Sequence, residues 1–149
     1  MAFTGNWVTN TFKTGLPSGT FNFNTGTTQV FKIALYTNAA TLNAETTGYT
    51  STGEVVASGY TAGGLILVIS QVPTTGSSGT TAYWSFNNAV WTTAVTARGA
   101  LIYLANGTTN PAICVLDFGS DKTSTNTFTV QFPSATNTTA IIRIATNVS

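Results

Sequence analysis

The stretch LDFGSDKTS, Leu116 to Ser124, gathers three of the chain's nine charged side chains (five basic, four acidic): Asp117, Asp121 and Lys122. As a phosphate cradle it would need the pattern G-x-x-x-x-G-K-[ST] leading from a strand into a helix. Asp121 stands where the second Gly belongs, and NTFTVQF, which follows, alternates like a strand. A carboxylate at that position blocks the backbone approach and repels phosphate. A Ca²⁺ loop needs oxygen ligands at alternating positions and a closing Glu, which Gly119 and Ser120 do not supply. A carboxylate pair for acid–base work needs a geometry that the four-residue spacing of Asp117 and Asp121 does not fix. The remaining reading is a loop between two strands. Asp117 ends a strand, and Gly119 gives a position free to take φ > 0. Asp121 accepts a backbone N–H as Asx turns do, while Lys122 and Ser124 face solvent.

The wider inventory points away from catalysis. The chain has no His, which removes Ser-His-Asp triads, Cys-His pairs and most zinc sites. Its one cysteine, Cys114, lies in the apolar run AICVLDF and reads as a small buried hydrophobe without an internal disulfide partner. The carboxylates are Glu45, Glu54, Asp117 and Asp121. A glycosidase needs two facing one sugar cleft, and nothing in the sequence brings Glu54 to Asp117. The expectation is a protein without catalytic residues, metal or cofactor. Arg98 and Arg143 sit in or beside apolar strand patterns. A buried Arg needs a carboxylate; Arg98 either pairs with Asp117 or Glu54 or points outward into solvent, and the sequence favours neither. Arg143 is expected to point outward, with Ile142 and Ile144 setting the inner face.

The net charge of +1 leaves no clustered basic footprint for nucleic acid, and little charge to keep copies apart. No apolar run has the length of a membrane helix. The start, MAFTGNWVTNTFK, lacks the basic and apolar regions of a secretory signal. The expectation is synthesis in a cytoplasm, with neither nucleic acid nor membrane as a partner.

The elements that would position these residues are strands. At 149 residues the chain has the length of one domain. Its polar part is mostly Thr, Asn, Ser and Gly, which suit pleated surfaces and turns. Strand patterns fall at 28–37, 54–58, 64–72, 81–86, just beyond at AVWTT, then at 98–105, 112–118, 126–132 and 139–145. Phe31, Ile33 and Leu35 face one way in the first, with Val30, Lys32 and Ala34 opposite. The separators GYTAGG, PTTGSSGT, NGTTNP and PSATNT are turn chemistry. This predicts an all-β, single-domain β-sandwich, jelly-roll or immunoglobulin-like, of about eight short strands over residues 26–149. Residues 38–46 have room for one helical turn.

Residues 1–25 differ, with many aromatics and no long strand pattern. Val8, Phe12 and Leu16, at i, i+4 and i+8, predict a short amphipathic helix over 7–16, ended by Pro17 and Gly19. Such an arm either packs over an open end of its own sandwich or docks on a neighbouring subunit. In the docking case Phe3, Trp7, Phe12, Phe21 and Phe23 are the anchors, because large aromatics dominate interfaces. Trp7, together with Tyr60, Trp84, Trp91 and Tyr103, is of the types a carbohydrate platform uses. Trp84 and Trp91 lie in strand patterns and read as core. The strings NGT at 106–108 and NTT at 137–139 match the glycosylation pattern but carry little weight without a secretory signal.

The MAFTG start, FKIALYTNAATLNAETT, GEVVASGYTAGG, ARGALIYLANGTTNP, VLDFGSDKTSTNTFTVQFP and the late AIIRIA together make the chain resemble a family of small β-rich structural proteins of tailed bacteriophages. The match spans nearly the whole chain and is one of overall pattern. The resemblance implies a virion structural protein. Within that class a capsid decoration or cement protein is favoured, made in the host cytoplasm and bound to the exterior of the head shell. Its partners would be the major capsid protein and further copies of itself, with a trimer favoured. The alternative is a tail-associated receptor- or glycan-binding module.

Overall fold

The computed structural model describes residues 3–77 and 79–145. The ends of the 1–25 arm and of the 26–149 domain therefore lie outside the described residues. The chain is an all-β single domain, with one short helix among the described residues. Its elements are β1 (Trp7–Val8), α1 (Asn10–Gly15), β2 (Phe31–Tyr36), β3 (Leu65–Leu67), β4 (Ile69–Thr74), β5 (Ala82–Phe86), β6 (Ala89–Trp91), β7 (Thr96–Leu104), β8 (Ala112–Thr123), β9 (Phe128–Val130) and β10 (Ile142–Ile144). They form a five-stranded sheet in the order β1-β8-β7-β2-β3, a three-stranded sheet β10-β5-β4 and a pair β6-β9. Every pairing is antiparallel.

The arrangement is sandwich-like. Phe31, Ile33 and Leu35 of β2 and Ala100, Ile102 and Leu104 of β7 share one buried cluster with Trp84 and Phe86 of β5, Trp91 of β6 and Phe128 of β9. The opposite face of the five-stranded sheet is buried as well. Ala34, Tyr36, Leu101, Tyr103 and Val115 pack there beneath Phe3, Ala40 and Leu42. The alternation along β2 is as expected, but its second face is covered by chain rather than by water. Gly99 in β7 makes part of that cover fit, because a Cβ there would collide with the Leu116 carbonyl and the Phe3 ring.

Three strand expectations change. Residues 54–58 make only a single bridge, Tyr36 to Glu54, between turns in which Gly53 and Gly59 take positive φ. The run 64–72 is two strands, broken at Val68, where the chain leaves the five-stranded sheet for the three-stranded one. LDFGSDKTS is not an inter-strand loop, because β8 runs through it to Thr123. β7 pairs Gly99 with Asp117 and Ala97 with Lys122, so the residues between Asp117 and Lys122 bulge out of the ladder. Gly119, at φ +79°, supplies the left-handed step such a bulge needs.

The N-terminal segment packs on its own domain. Trp7 and Val8 add a strand to β8, which shortens the expected helix to Asn10–Gly15. Thr9 caps it, its Oγ accepting from the Phe12 N–H at 3.1 Å and donating to the Ala112 carbonyl at 2.8 Å. Gly15 admits Phe21, whose ring would lie 2.6 Å from a Cβ there. Phe23 stacks on Phe31 with centroids 4.6 Å apart and lies 5.0 Å from Trp84. Residues 38–46 form turns, with no helix.

Candidate functional site

The densest polar constellation surrounds Glu54, which is 7% exposed. A buried carboxylate needs compensation, and here three donors supply it. Oε1 accepts from the Tyr60 hydroxyl at 2.8 Å and the Gly63 N–H at 2.7 Å, and Oε2 accepts from the Tyr49 hydroxyl at 2.6 Å. Tyr60 also accepts from the Leu35 N–H of β2, at 2.9 Å. Tyr103 of β7 stacks on Tyr49, with centroids 4.9 Å apart, and donates to the Gly63 carbonyl at 2.7 Å. Tyr36 donates to the Thr50 carbonyl at 2.6 Å. The cluster thereby fastens residues 49–63 to the five-stranded sheet. Glu54 has no ion pair within 4 Å among the described residues. The Lys32 Nζ lies against Gly63, 3.3 Å from where a Cβ on that glycine would stand.

Burial first, and then the charge of Glu54, push the Tyr103 phenol up to about 12. Burial likewise drives Tyr36, Tyr49 and Tyr60 above the ordinary phenol range, with Glu54 adding to each. Protonated phenols are the state in which they donate to the carboxylate and carbonyls. Their folded pKa values are raised, so the associated stability is fully present below the unfolded value of about 10 and is lost as pH rises through the folded values. We expect four of the five tyrosines to ionise only together with unfolding. Absorbance at 295 nm and circular dichroism should change in one cooperative step above pH ~10. Reversible ionisation of those four below pH ~11 with the fold intact would contradict the assignment.

Asp117 has separate partners. Burial works to raise its carboxyl, but the Gly119 N–H at 2.8 Å and the Arg98 guanidinium at 3.0 Å outweigh it and hold the group below the ordinary carboxylate range. The Asx-type bond in the bulge thus belongs to Asp117. Its own N–H donates to Asn6 Oδ1 at 2.7 Å, tying the bulge to the N-terminal segment. Arg98 takes Asp117 and not Glu54. Arg143 is exposed and Ile142 buried, whereas Ile144 is exposed instead of inward. Cys114 is buried, and burial raises its thiol to about 12.

Of the five arm aromatics, Phe3, Phe12, Phe21 and Phe23 are buried in this domain's own core, and only Trp7, at 40%, is exposed. As placed, the four phenylalanines cannot anchor a partner, because they already fill the space between and over the sheets. Trp84, Trp91 and Tyr103 are buried, and Tyr60 is engaged with Glu54. Asn106 organises its own turn, accepting from the N–H groups of Thr108, Thr109 and Asn110. Among the described residues no group of three or more His, Cys, Asp or Glu side chains could hold a metal ion.

The accessible apolar surface lies elsewhere. A groove of about 550 Å³ runs between α1 and β10. Val8, Leu16 and Pro17 line one side and Ile142 and Ile144 the other, with exposed Lys13 and Arg143 alongside. A second apolar area comprises Val30, Ile66, Val68 and Val90, exposed by 38%, 65%, 58% and 46%. Ile66 joins it, sharing one depression with Val30 and Val68 and another with Val90. No family model matches the chain, and no curated protein or solved structure matches it either.

Proposed function

We propose that the protein is a structural component of a tailed-bacteriophage virion, a capsid decoration protein that binds the outside of the head shell and stabilises it by bridging capsid subunits without covalent chemistry. The observation that supports this reading is where the chemistry-bearing groups lie. Glu54 and Asp117 are engaged in holding the fold, whereas exposed aliphatic side chains line open grooves on a nearly uncharged surface. Such a surface suits binding. The groove between α1 and β10 is the capsid-facing candidate, its aliphatic walls flanked by two of the five cations. It fits an apolar segment carrying a carboxylate on the capsid protein. Modest contacts suffice, since bridging two linked sites multiplies affinity.

Quantifying the protein against the major capsid protein in purified virions, then in separated heads and tails, tests the reading. Copies comparable to the capsid protein and retained with heads are expected. A handful of copies leaving with tails would overturn it in favour of a tail module. Reversing both groove charges, Lys13→Glu with Arg143→Glu, should lower head occupancy at least tenfold while leaving the fold's circular dichroism unchanged.

A further inference from the structure

We infer that Asn106 is a modification site, deamidated by attack of the Gly107 nitrogen, and that the turn between β7 and β8 holds the reaction shut until it opens. Asn106 is the chain's only asparagine that precedes a glycine. The reaction is intramolecular. The Gly107 nitrogen loses its proton and bonds to the Asn106 Cγ. The Cγ–Nδ2 bond breaks, and Nδ2 leaves as ammonia, taking up that proton. Water then adds to one of the two carbonyls of the cyclic imide and breaks its bond to nitrogen. The product is an aspartate at 106 or an isoaspartyl linkage. Glycine favours the closure because no side chain shields its nitrogen. Apart from its chain neighbours, no heavy atom lies within 4 Å of where a Cβ on Gly107 would stand. Asn106 and Gly107 are both exposed, so water reaches the site.

In the closed turn both reacting groups are engaged elsewhere. Asn106 Oδ1 accepts from the N–H groups of Thr108 at 3.1 Å, Thr109 at 3.1 Å and Asn110 at 2.8 Å. Its Nδ2 donates to Thr109 Oγ1 at 3.2 Å. The Gly107 N–H donates to Asn110 Oδ1 at 3.0 Å. A peptide nitrogen is planar, and in the imide Cγ takes the place its hydrogen had. The N–H direction therefore marks where the attacking electron pair appears once the proton is lost. Here that direction leads to Asn110 Oδ1, an electron-rich oxygen, instead of to Cγ. Ring closure needs the Gly107 peptide to turn away from Asn110 and the Asn106 carboxamide to give up three backbone donors.

The backbone around the turn keeps Asn110 in place. Its carbonyl accepts from the Tyr49 N–H at 2.9 Å, and the Leu104 N–H donates to the Pro111 carbonyl at 3.0 Å. Asn110 has φ +43°, the one positive φ outside glycine among the described residues, and asparagine is a type that tolerates it. Exposed turns nevertheless open at a small fraction of the cost of global unfolding, so the reaction proceeds at a rate set by that opening. The two products differ in their effect. An aspartate at 106 still offers an oxygen to the three N–H donors, and it takes the net charge from +1 to zero. An isoaspartyl linkage adds a carbon to the backbone of a turn whose ends these bonds fix. The inference does not depend on the virion reading.

The test is the rate of deamidation at each asparagine of the purified full chain, read by peptide mapping with mass spectrometry. The chain is held folded, and in guanidinium chloride, at one mildly alkaline pH. In the unfolded chain Asn106 should react first. In the folded chain it should react about tenfold more slowly or slower still, the ratio set by how rarely the turn opens. Asn110→Gly keeps a residue suited to positive φ and removes the acceptor of the Gly107 N–H. It should speed the folded-chain reaction about fivefold or more, with circular dichroism unchanged and the unfolded-chain rate equal to the parent's. Thr109→Val frees Nδ2 while keeping the backbone donors, and should act in the same direction; it carries the test if Asn110→Gly fails to fold. Equal rates for folded and unfolded parent overturn the proposal. So does another asparagine reacting first in the unfolded chain, or a folded Asn110→Gly variant no faster than the parent.

Discussion

Replacing Glu54 with alanine is expected to destabilise the domain by about 3–5 kcal/mol, the range of a broken buried network rather than of a surface change. The carboxylate accepts from two phenols and one backbone N–H, and alanine leaves all three without an acceptor. Gly63 is the most exposed to this loss in energetic terms, since its buried N–H cannot turn to water. The consequence should spread through residues 49–63, because Tyr60 links the carboxylate to Leu35 of β2 and Tyr103 links Gly63 to β7. Glu54→Gln keeps the volume and one oxygen but turns an NH₂ toward one of the donors, and should cost about 1–3 kcal/mol. Denaturant titration of both variants measures the loss. A cycle combining Glu54→Gln with Tyr49→Phe should give a coupling of about 1 kcal/mol or more. An alanine variant within about 0.5 kcal/mol of the parent would show that the cluster does not hold the loop.

That cluster shows what the sequence carried and what it hid. Tyr49, Tyr60 and Gly63 lie within nine residues of Glu54, so the spacing was on the page as a carboxylate among tyrosines and glycines. What local reading could not supply was Leu35 and Tyr103, which only sheet pairing brings near. Strand positions were legible wherever one face alternates, as in β2, β5, β7 and β9. They were least legible where the second face is also buried. Ala34 read only as the face opposite Ile33, and that face is buried because Phe3, Ala40 and Leu42 pack over Ala34 and Tyr36. LDFGSDKTS read as a loop because Gly, Ser and Asp are turn formers, yet they serve equally in a bulge that leaves the strand continuous.

Deleting residues 1–24 is expected to abolish folding rather than merely to weaken binding. An aromatic-rich segment without strand periodicity has the same signature whether it anchors a partner or plugs its own core. Burial decides, and Phe3, Phe12, Phe21 and Phe23 are exposed by 1%, 3%, 6% and 3%. Phe23 alone contacts the rings of Phe31, Trp84 and Phe86, so its removal opens the junction between the sheets. A buried Phe→Ala change costs about 3–5 kcal/mol, and a domain of this kind is stable by about 5–15 kcal/mol in total. Losing four such side chains, together with the β1 pairing on β8, exceeds that margin. The truncated chain should be insoluble or should lack a cooperative unfolding transition. Phe23→Ala alone should still fold, with a denaturation midpoint lowered in proportion to its cost. Trp7→Ala, which removes the exposed indole bonded to Thr4 at 3.2 Å, should stay within about 1 kcal/mol of the parent. A cooperatively folded 25–149 fragment would reverse the conclusion, returning the first 24 residues to the role of a detachable arm.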